Sequence, residues 1–238
     1  MSHNEKLEKK QRNQCISFII VIIILVVIIG ILSYLLYVTP HKKVGTGPYD
    51  IHTRPNDNFV FLGDSITDFY PLEELYDNLP VINSGVSGYT TDDILSNIKE
   101  MVSIYNPTKV FLLIGTNDIE KDKDNDYITN NIYKITKEIL KDRPTTKIYI
   151  QSVYPVNNSD SDKINHSMVG KRTNEIIINL NKKIKKLCEE YHYIYIPVYD
   201  ELLDEDKNLA LKYTEEGLHL TDLGYLKVTR TLYPYLED

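Results

Sequence analysis

Ser65 stands directly after an apolar run, Phe59-Val60-Phe61-Leu62, in the peptide Gly63-Asp64-Ser65-Ile66-Thr67. His219 stands three residues after a carboxylate in Glu216-Gly217-Leu218-His219. A serine hydroxyl becomes a useful nucleophile only when a base takes its proton, and the base works best when a carboxylate orients it. These two distant peptides can supply all three groups. Between them lie Asn83-Ser84-Gly85 and Gly115-Thr116-Asn117-Asp118, each after an apolar stretch. The chemistry such residues suit is that of a serine esterase.

The elements that must position these groups alternate. Short apolar β-type runs fall at residues 59–62, 80–82, 109–114, 147–153 and 193–198. Helical stretches are expected at 71–78, 91–105, 127–141, 168–191 and 222–236. Thr90-Thr91-Asp92-Asp93 offers a hydroxyl cap and early acids, and Ile94, Leu95, Ile98, Met101, Val102 and Tyr105 then recur at helical spacing. Short apolar strands alternating with helices predict an α/β fold with a mainly parallel five-stranded sheet covered on both faces. In such sheets functional groups gather at the carboxyl ends of strands. Ser65, Gly85 and Asn117 follow the first, second and third strand, which places them on one edge.

These four peptides resemble the blocks of the SGNH hydrolase superfamily, the GDSL esterases and lipases. Gly63-Asp64-Ser65 matches the nucleophile block, and Asn83-Ser84-Gly85-Val86-Ser87-Gly88 resembles the second. Gly115-Thr116-Asn117-Asp118 matches the third, and Glu216-Gly217-Leu218-His219-Leu220-Thr221 resembles the last. The likeness spans about residues 58–236. It implies a three-layer α/β/α sandwich of the flavodoxin-like kind and acyl-ester hydrolysis without a metal or other cofactor. It also implies Ser65 as nucleophile, His219 as base and Glu216 as the orienting acid. The oxyanion hole would be Ser65 N–H, Gly85 N–H and the Asn117 amide. One position departs from the pattern: the family usually has Asp three residues before the histidine, and this chain has Glu216. The extra methylene changes the line along which the carboxylate reaches the imidazole, and Glu215 and Asp222 compete for the role.

Ahead of this domain, residues 16–38 form a 23-residue apolar run without a charge. At about 1.5 Å rise per residue it would span roughly 34 Å, enough for a hydrocarbon core of about 30 Å. It exceeds the apolar core of a cleavable leader and lacks a small-residue cleavage site. The expected organisation is an inner tail at 1–15, a transmembrane anchor at 16–38, a stalk at 39–57 and the hydrolase domain at 58–238. Lys6, Lys9, Lys10 and Arg12 precede the run, against Lys42, Lys43 and Arg54 after it, which favours the N-terminus inside and the domain outside.

Residues 1–43 hold six Lys and Arg against two Glu, so a chain of net charge −7 leaves −11 on the remainder. Such an acidic domain excludes nucleic acid as a partner, since phosphate binding needs a basic face. Of the two cysteines, Cys15 borders the apolar run and Cys188 lies in the domain, so neither a disulfide nor a metal-type Cys spacing is expected. Lys121-Asp122-Lys123-Asp124-Asn125-Asp126 lacks the Gly and Glu of a calcium loop and reads as solvated. The Ile-, Lys-, Asn- and Tyr-rich composition points to a bacterial source.

The expected function is therefore a membrane-anchored, outward-facing esterase acting on short acyl esters, such as O-acetylated glycans, or on lipid esters. Two alternatives share the sequence features. An acyltransferase would use the same Ser65 acyl-enzyme, and a catalytically silent surface-binding domain would retain only the fold.

Overall fold

The computed structural model describes residues 56–237, all within the compact unit Thr46–Asp238. The expected anchor and most of the expected stalk lie outside the described residues. Among the described residues, no helix is long and apolar enough to cross a membrane.

The five expected strands form as β1 (Phe59–Gly63), β2 (Val81–Gly85), β3 (Lys109–Leu113), β4 (Lys147–Gln151) and β5 (Ile194–Ile196). Every pairing is parallel, in the order β2-β1-β3-β4-β5. This is the doubly wound order in which ligands meet the carboxyl edge of the sheet where the winding reverses. The register levels that edge: Gly63 at the end of β1 pairs with Gly85 of β2 on one side and Leu113 of β3 on the other. Whatever follows these three residues therefore starts at the same height.

The sheet is buried on both faces, and its two-residue side-chain period sorts the faces by chemistry. Val60, Leu62, Val110, Leu112, Ile148 and Ile150 form an aliphatic face. Against it pack α3 (Thr91–Ser96), α4 (Ile98–Met101), α6 (Asn125–Asp142) and α8 (Asn174–Tyr191). Ile128, Ile132, Ile135 and Ile139 give α6 a stripe at helical spacing. Phe59, Phe61, Phe111 and Tyr149 form the opposite face, against α1 (Ser65–Asp68), α2 (Leu72–Leu75) and α9 (Asp222–Leu236). Phe61 stacks on Phe111 at 4.8 Å and Phe111 on Tyr149 at 4.6 Å. The result is the three-layer arrangement.

Two long helices expected from periodicity are broken. The 91–105 stretch divides into α3, α4 and a 3-10 turn at Ser103–Tyr105. Thr90 does cap α3, exchanging bonds with Asp93 in a capping box. The break falls at Asn97, whose side chain donates to Asp93 O at 2.8 Å and competes with the helix ladder. The 168–191 stretch divides into α7 (His166–Val169) and α8, which Thr173 caps. Between these two, Arg172 turns inward and is only 4% exposed. The helix expected over 71–78 is the single turn α2, and α5 (Thr116–Glu120) and α1 carry no apolar period long enough to announce them. Cys188 is buried, which pushes its thiol up to about 12 and leaves it inert near neutrality.

Candidate active site

Ser65 occupies the first position of α1, immediately beyond β1. Asp64 caps that helix: its Oδ1 accepts from Ile66 N at 3.0 Å, and its carbonyl accepts from Thr67 N and Asp68 N. The Ser65 N–H is the first of the helix's orphan donors, with no acceptor inside the helix. Its hydroxyl oxygen lies 3.0 Å from His219 Nε2.

His219 is delivered by a loop closed on itself. Thr214 and Leu220 form an isolated antiparallel bridge, and Glu215 N donates to His219 O at 3.0 Å. The buried Thr214 hydroxyl donates to His219 O and accepts from Gly217 N. Within this loop Glu216 Oε1 accepts twice from the same residue, from His219 N at 3.0 Å and from His219 Nδ1 at 2.6 Å. A carboxylate accepts only, so Nδ1 carries the proton and Nε2 presents a lone pair to Ser65. Glu216, and neither Glu215 nor Asp222, is the acid that meets the ring. The extra methylene lets the carboxylate fold back over its own turn. Phe69, at the end of α1, packs a half-exposed ring 5.3 Å from the imidazole.

The donors expected for an oxyanion divide. Asn117, in α5 just beyond β3, gives one amide hydrogen to Tyr89 O at 3.0 Å, and its Oδ1 accepts from Arg172 Nη2 at 2.9 Å. One Nδ2 hydrogen remains. Gly85 N–H is already committed, donating to Asn83 Oδ1 at 2.9 Å. A Cβ on Gly85 would sit 2.1 Å from Asp68 N, so this glycine exists to let α1 lie on β2. The structure thus does not offer the Gly85 N–H to an oxyanion. Gly88, three residues on, has φ +81° and open space where a Cβ would point. Its neighbours tie it to both sides of the site. Ser87 Oγ donates to Asp68 Oδ2 of α1 at 2.6 Å, and Tyr89 O holds the Asn117 amide. The sequence signal for Gly88 was its place in Val86-Ser87-Gly88-Tyr89, a turn after a strand.

Two buried ionisable groups flank the site: Arg172, which had no such signal, and Asp64, which stood in the Gly63-Asp64-Ser65 block without a role of its own. Arg172 donates to Thr116 O and Oγ1, Glu120 Oε2, Met168 O, Val169 O and Asn117 Oδ1. Burial draws its pKa down while Glu120 and Asp64 hold it up. Asp64, 1% exposed, leaves Oδ2 without a hydrogen-bond partner among the described residues. Its carboxyl is pushed up to about 7 by burial, with the Ile66 N–H and the Arg172 charge opposing. Behind Asp64, Tyr225 OH donates to Ile66 O and Tyr154 OH to Gln151 Oε1, so neither phenol is spent on it. Asp118, also buried, accepts from Thr91 N and Oγ1 and ties α3 to α5.

The chain is similar to several known proteins. A Streptococcus pneumonia protein provisionally named a platelet activating factor is 37% identical with a TM-score of 0.71, over 76% of this chain and 84% of that one. An acetyl xylan esterase is 20% identical with a TM-score of 0.62, over 75% of this chain and 98% of that one, and shares the fold. An N-acylneuraminate cytidylyltransferase from Streptococcus agalactiae is 29% identical over 168 residues, 68% of this chain. The chain spans about a third of that relative's length, 34%. The family model described as GDSL-like Lipase/Acylhydrolase matches residues 61–227, which include every residue of the site described above. The chain belongs to the GDSL-like lipase/acylhydrolase family, a family of carboxylic ester hydrolases.

Proposed function

We propose that this protein is a membrane-anchored serine esterase that faces outward and removes short acyl groups, O-acetyl groups on glycans foremost. The observation that carries the catalytic part is the continuous relay Ser65 Oγ, His219 Nε2, His219 Nδ1, Glu216 Oε1, with links of 3.0 and 2.6 Å. His219 takes the Ser65 proton as Oγ attacks the ester carbonyl, and Glu216 stabilises the imidazolium that forms. The carbonyl oxygen, now negative, is met by Ser65 N–H, by the free Asn117 amide hydrogen and by Gly88 N–H. Each such donor typically contributes about 2.7–4 kcal/mol to the transition state. Collapse expels the alcohol, which takes the proton from His219. Water then gives a proton to His219 and attacks the acyl-enzyme, and collapse releases the acid as Ser65 Oγ regains that proton from His219.

The outward placement rests on the apolar run at 16–38 and its charge asymmetry. The glycan assignment rests on that placement and on a relative named for N-acylneuraminate. The full chain in detergent should hydrolyse p-nitrophenyl acetate faster than its long-chain homologues and release acetate from O-acetylated glycans, with Ser65→Ala inactive. Turnover surviving Ser65→Ala overturns the mechanism. Rapid cleavage of lipid esters without acetate release overturns the substrate class. Acyl transfer to an added sugar in preference to water identifies a transferase.

A further inference from the structure

We infer that Arg172 is a positioning residue for the oxyanion hole, acting through Asn117; this rests on the serine-esterase reading above. The geometry leaves its guanidinium one task on that side. Nη2 reaches Asn117 Oδ1 at 2.9 Å, while Nε and Nη1 are occupied by Thr116, Glu120, Met168 and Val169.

An amide side chain can present either its oxygen or its nitrogen to a given neighbour, and the two ends differ completely as oxyanion partners. Two neighbours settle the choice for Asn117. A guanidinium donates only and so requires the amide oxygen. The Tyr89 carbonyl accepts only and so requires the nitrogen, at 3.0 Å. Both demands agree, and the remaining N–H is fixed in direction before substrate arrives. Pre-orientation of this kind is what makes an oxyanion donor effective, since no reorganisation is left for the reaction step. The charge adds to it, because a cation on the amide oxygen polarises the N–H toward developing negative charge.

The placement of Arg172 depends on the broken helix. Met168 O and Val169 O, at the end of α7, accept from Nη1, and Thr173 restarts the chain as α8 one residue later. The same segment also supports the base. Asn165 N donates to Glu216 O at 2.8 Å, and a Cβ on Gly217 would lie 2.7 Å from Val169. One connection between β4 and α8 therefore braces both halves of the site, with Arg172 as its contact to the oxyanion half.

The test is a double-mutant cycle on the full chain, with Arg172→Gln, Arg172→Lys, Asn117→Ala and Glu120→Gln assayed on p-nitrophenyl acetate. Arg172→Gln should lower kcat about 10- to 100-fold with KM within about threefold, below the about 10²–10³ of removing the donor outright. Lysine keeps the charge without the planar fork, so Arg172→Lys should recover only part of the loss. In the Asn117→Ala background either Arg172 change should cost less than about threefold more, because the residue it acts through is gone. Glu120→Gln breaks the ion pair on the far side of the same guanidinium and should leave kcat within about threefold. Thermal melts accompany each variant, and if the Gln variant does not fold the Lys variant takes its place in the cycle. Losses that add fully in the Asn117→Ala background overturn the inference, as does a Glu120→Gln loss equal to that of Arg172→Gln. An active wild type, an inactive Ser65→Ala and an unimpaired Arg172→Gln would remove this inference alone. An active Ser65→Ala would remove the esterase reading beneath it.

Discussion

The base side and the oxyanion side of this site are built in opposite ways. Glu216 and His219 lie three residues apart in one loop, closed by the Thr214–Leu220 bridge. The oxyanion side is gathered from α1, the 86–89 turn, α5 and the segment before α8, and joined by Asn117, Tyr89, Ser87 and Arg172. A local device can be read from spacing, because the i to i+3 separation by itself brings the groups close. A distributed one is set by sheet register and loop path, so spacing alone misplaces its members. Gly85 and Gly88 show this: both are glycines in one short peptide, and only the fold distinguishes the one packed against α1 from the one facing open space.

The comparison can be broken most severely at the local device. Glu216→Gln keeps the shape but removes the negative charge that fixes the His219 tautomer and stabilises the imidazolium, and turnover should fall about 10⁴-fold by analogy with other triads. Glu216→Asp should fall less, since the shorter side chain can keep one of its two bonds to His219. Steady-state kinetics on p-nitrophenyl acetate measures both. A loss below tenfold for Glu216→Gln would mean the acid does not orient the base.

Next comes the distributed device. Asn117→Ala should cost about 10²–10³ in kcat with little change in KM, because the donor acts on charge present only in the transition state. An equal rise in KM would instead mark Asn117 as a ground-state binder.

The two glycines sharpen the contrast. Gly85→Ala forces a Cβ against the backbone of α1 and should lower stability by about 1–3 kcal/mol. Gly88→Ala meets open space and only the strain of positive φ, about 1 kcal/mol. Denaturant melts rank them. If Gly88→Ala proved the more destabilising, the assignment of roles would reverse.

The last effect concerns pH. Asp64 is raised by burial from its ordinary 3.8 to about 7, so the folded state holds this proton more tightly than the unfolded chain. Its contribution to stability is full below pH 4 and is lost as pH rises toward 7. Asp64→Asn lacks this titration, so its stability relative to wild type should rise between pH 4 and 7 and level off above. Urea melts at pH 4.5, 6 and 8 would show the trend, and a constant difference would mean Asp64 is already ionised.

All five strands and their parallel pairing follow from the sequence, because apolar runs such as Phe59–Gly63 and Lys109–Leu113 have few other ways to be buried. The helices were less legible. Periodicity in 91–105 and 168–191 survives a break, since segments on either side of Asn97 or Arg172 still face the same core. The short helices α1 and α5, which carry Ser65 and Asn117, leave no periodic trace at all.

What the sequence determined alone is the two candidate peptides and the sheet beneath them: a serine after the first strand, a carboxylate three residues before a histidine, and apolar runs that must pair. The tertiary structure decided which acid meets the ring, that the Gly85 N–H is committed to Asn83, and that a buried arginine holds the Asn117 amide. The physical reason is range. Strand burial and an i to i+3 contact are short-range consequences of residue type, whereas the direction of a hydrogen-bond donor is set by neighbours brought from 28 and 55 residues away.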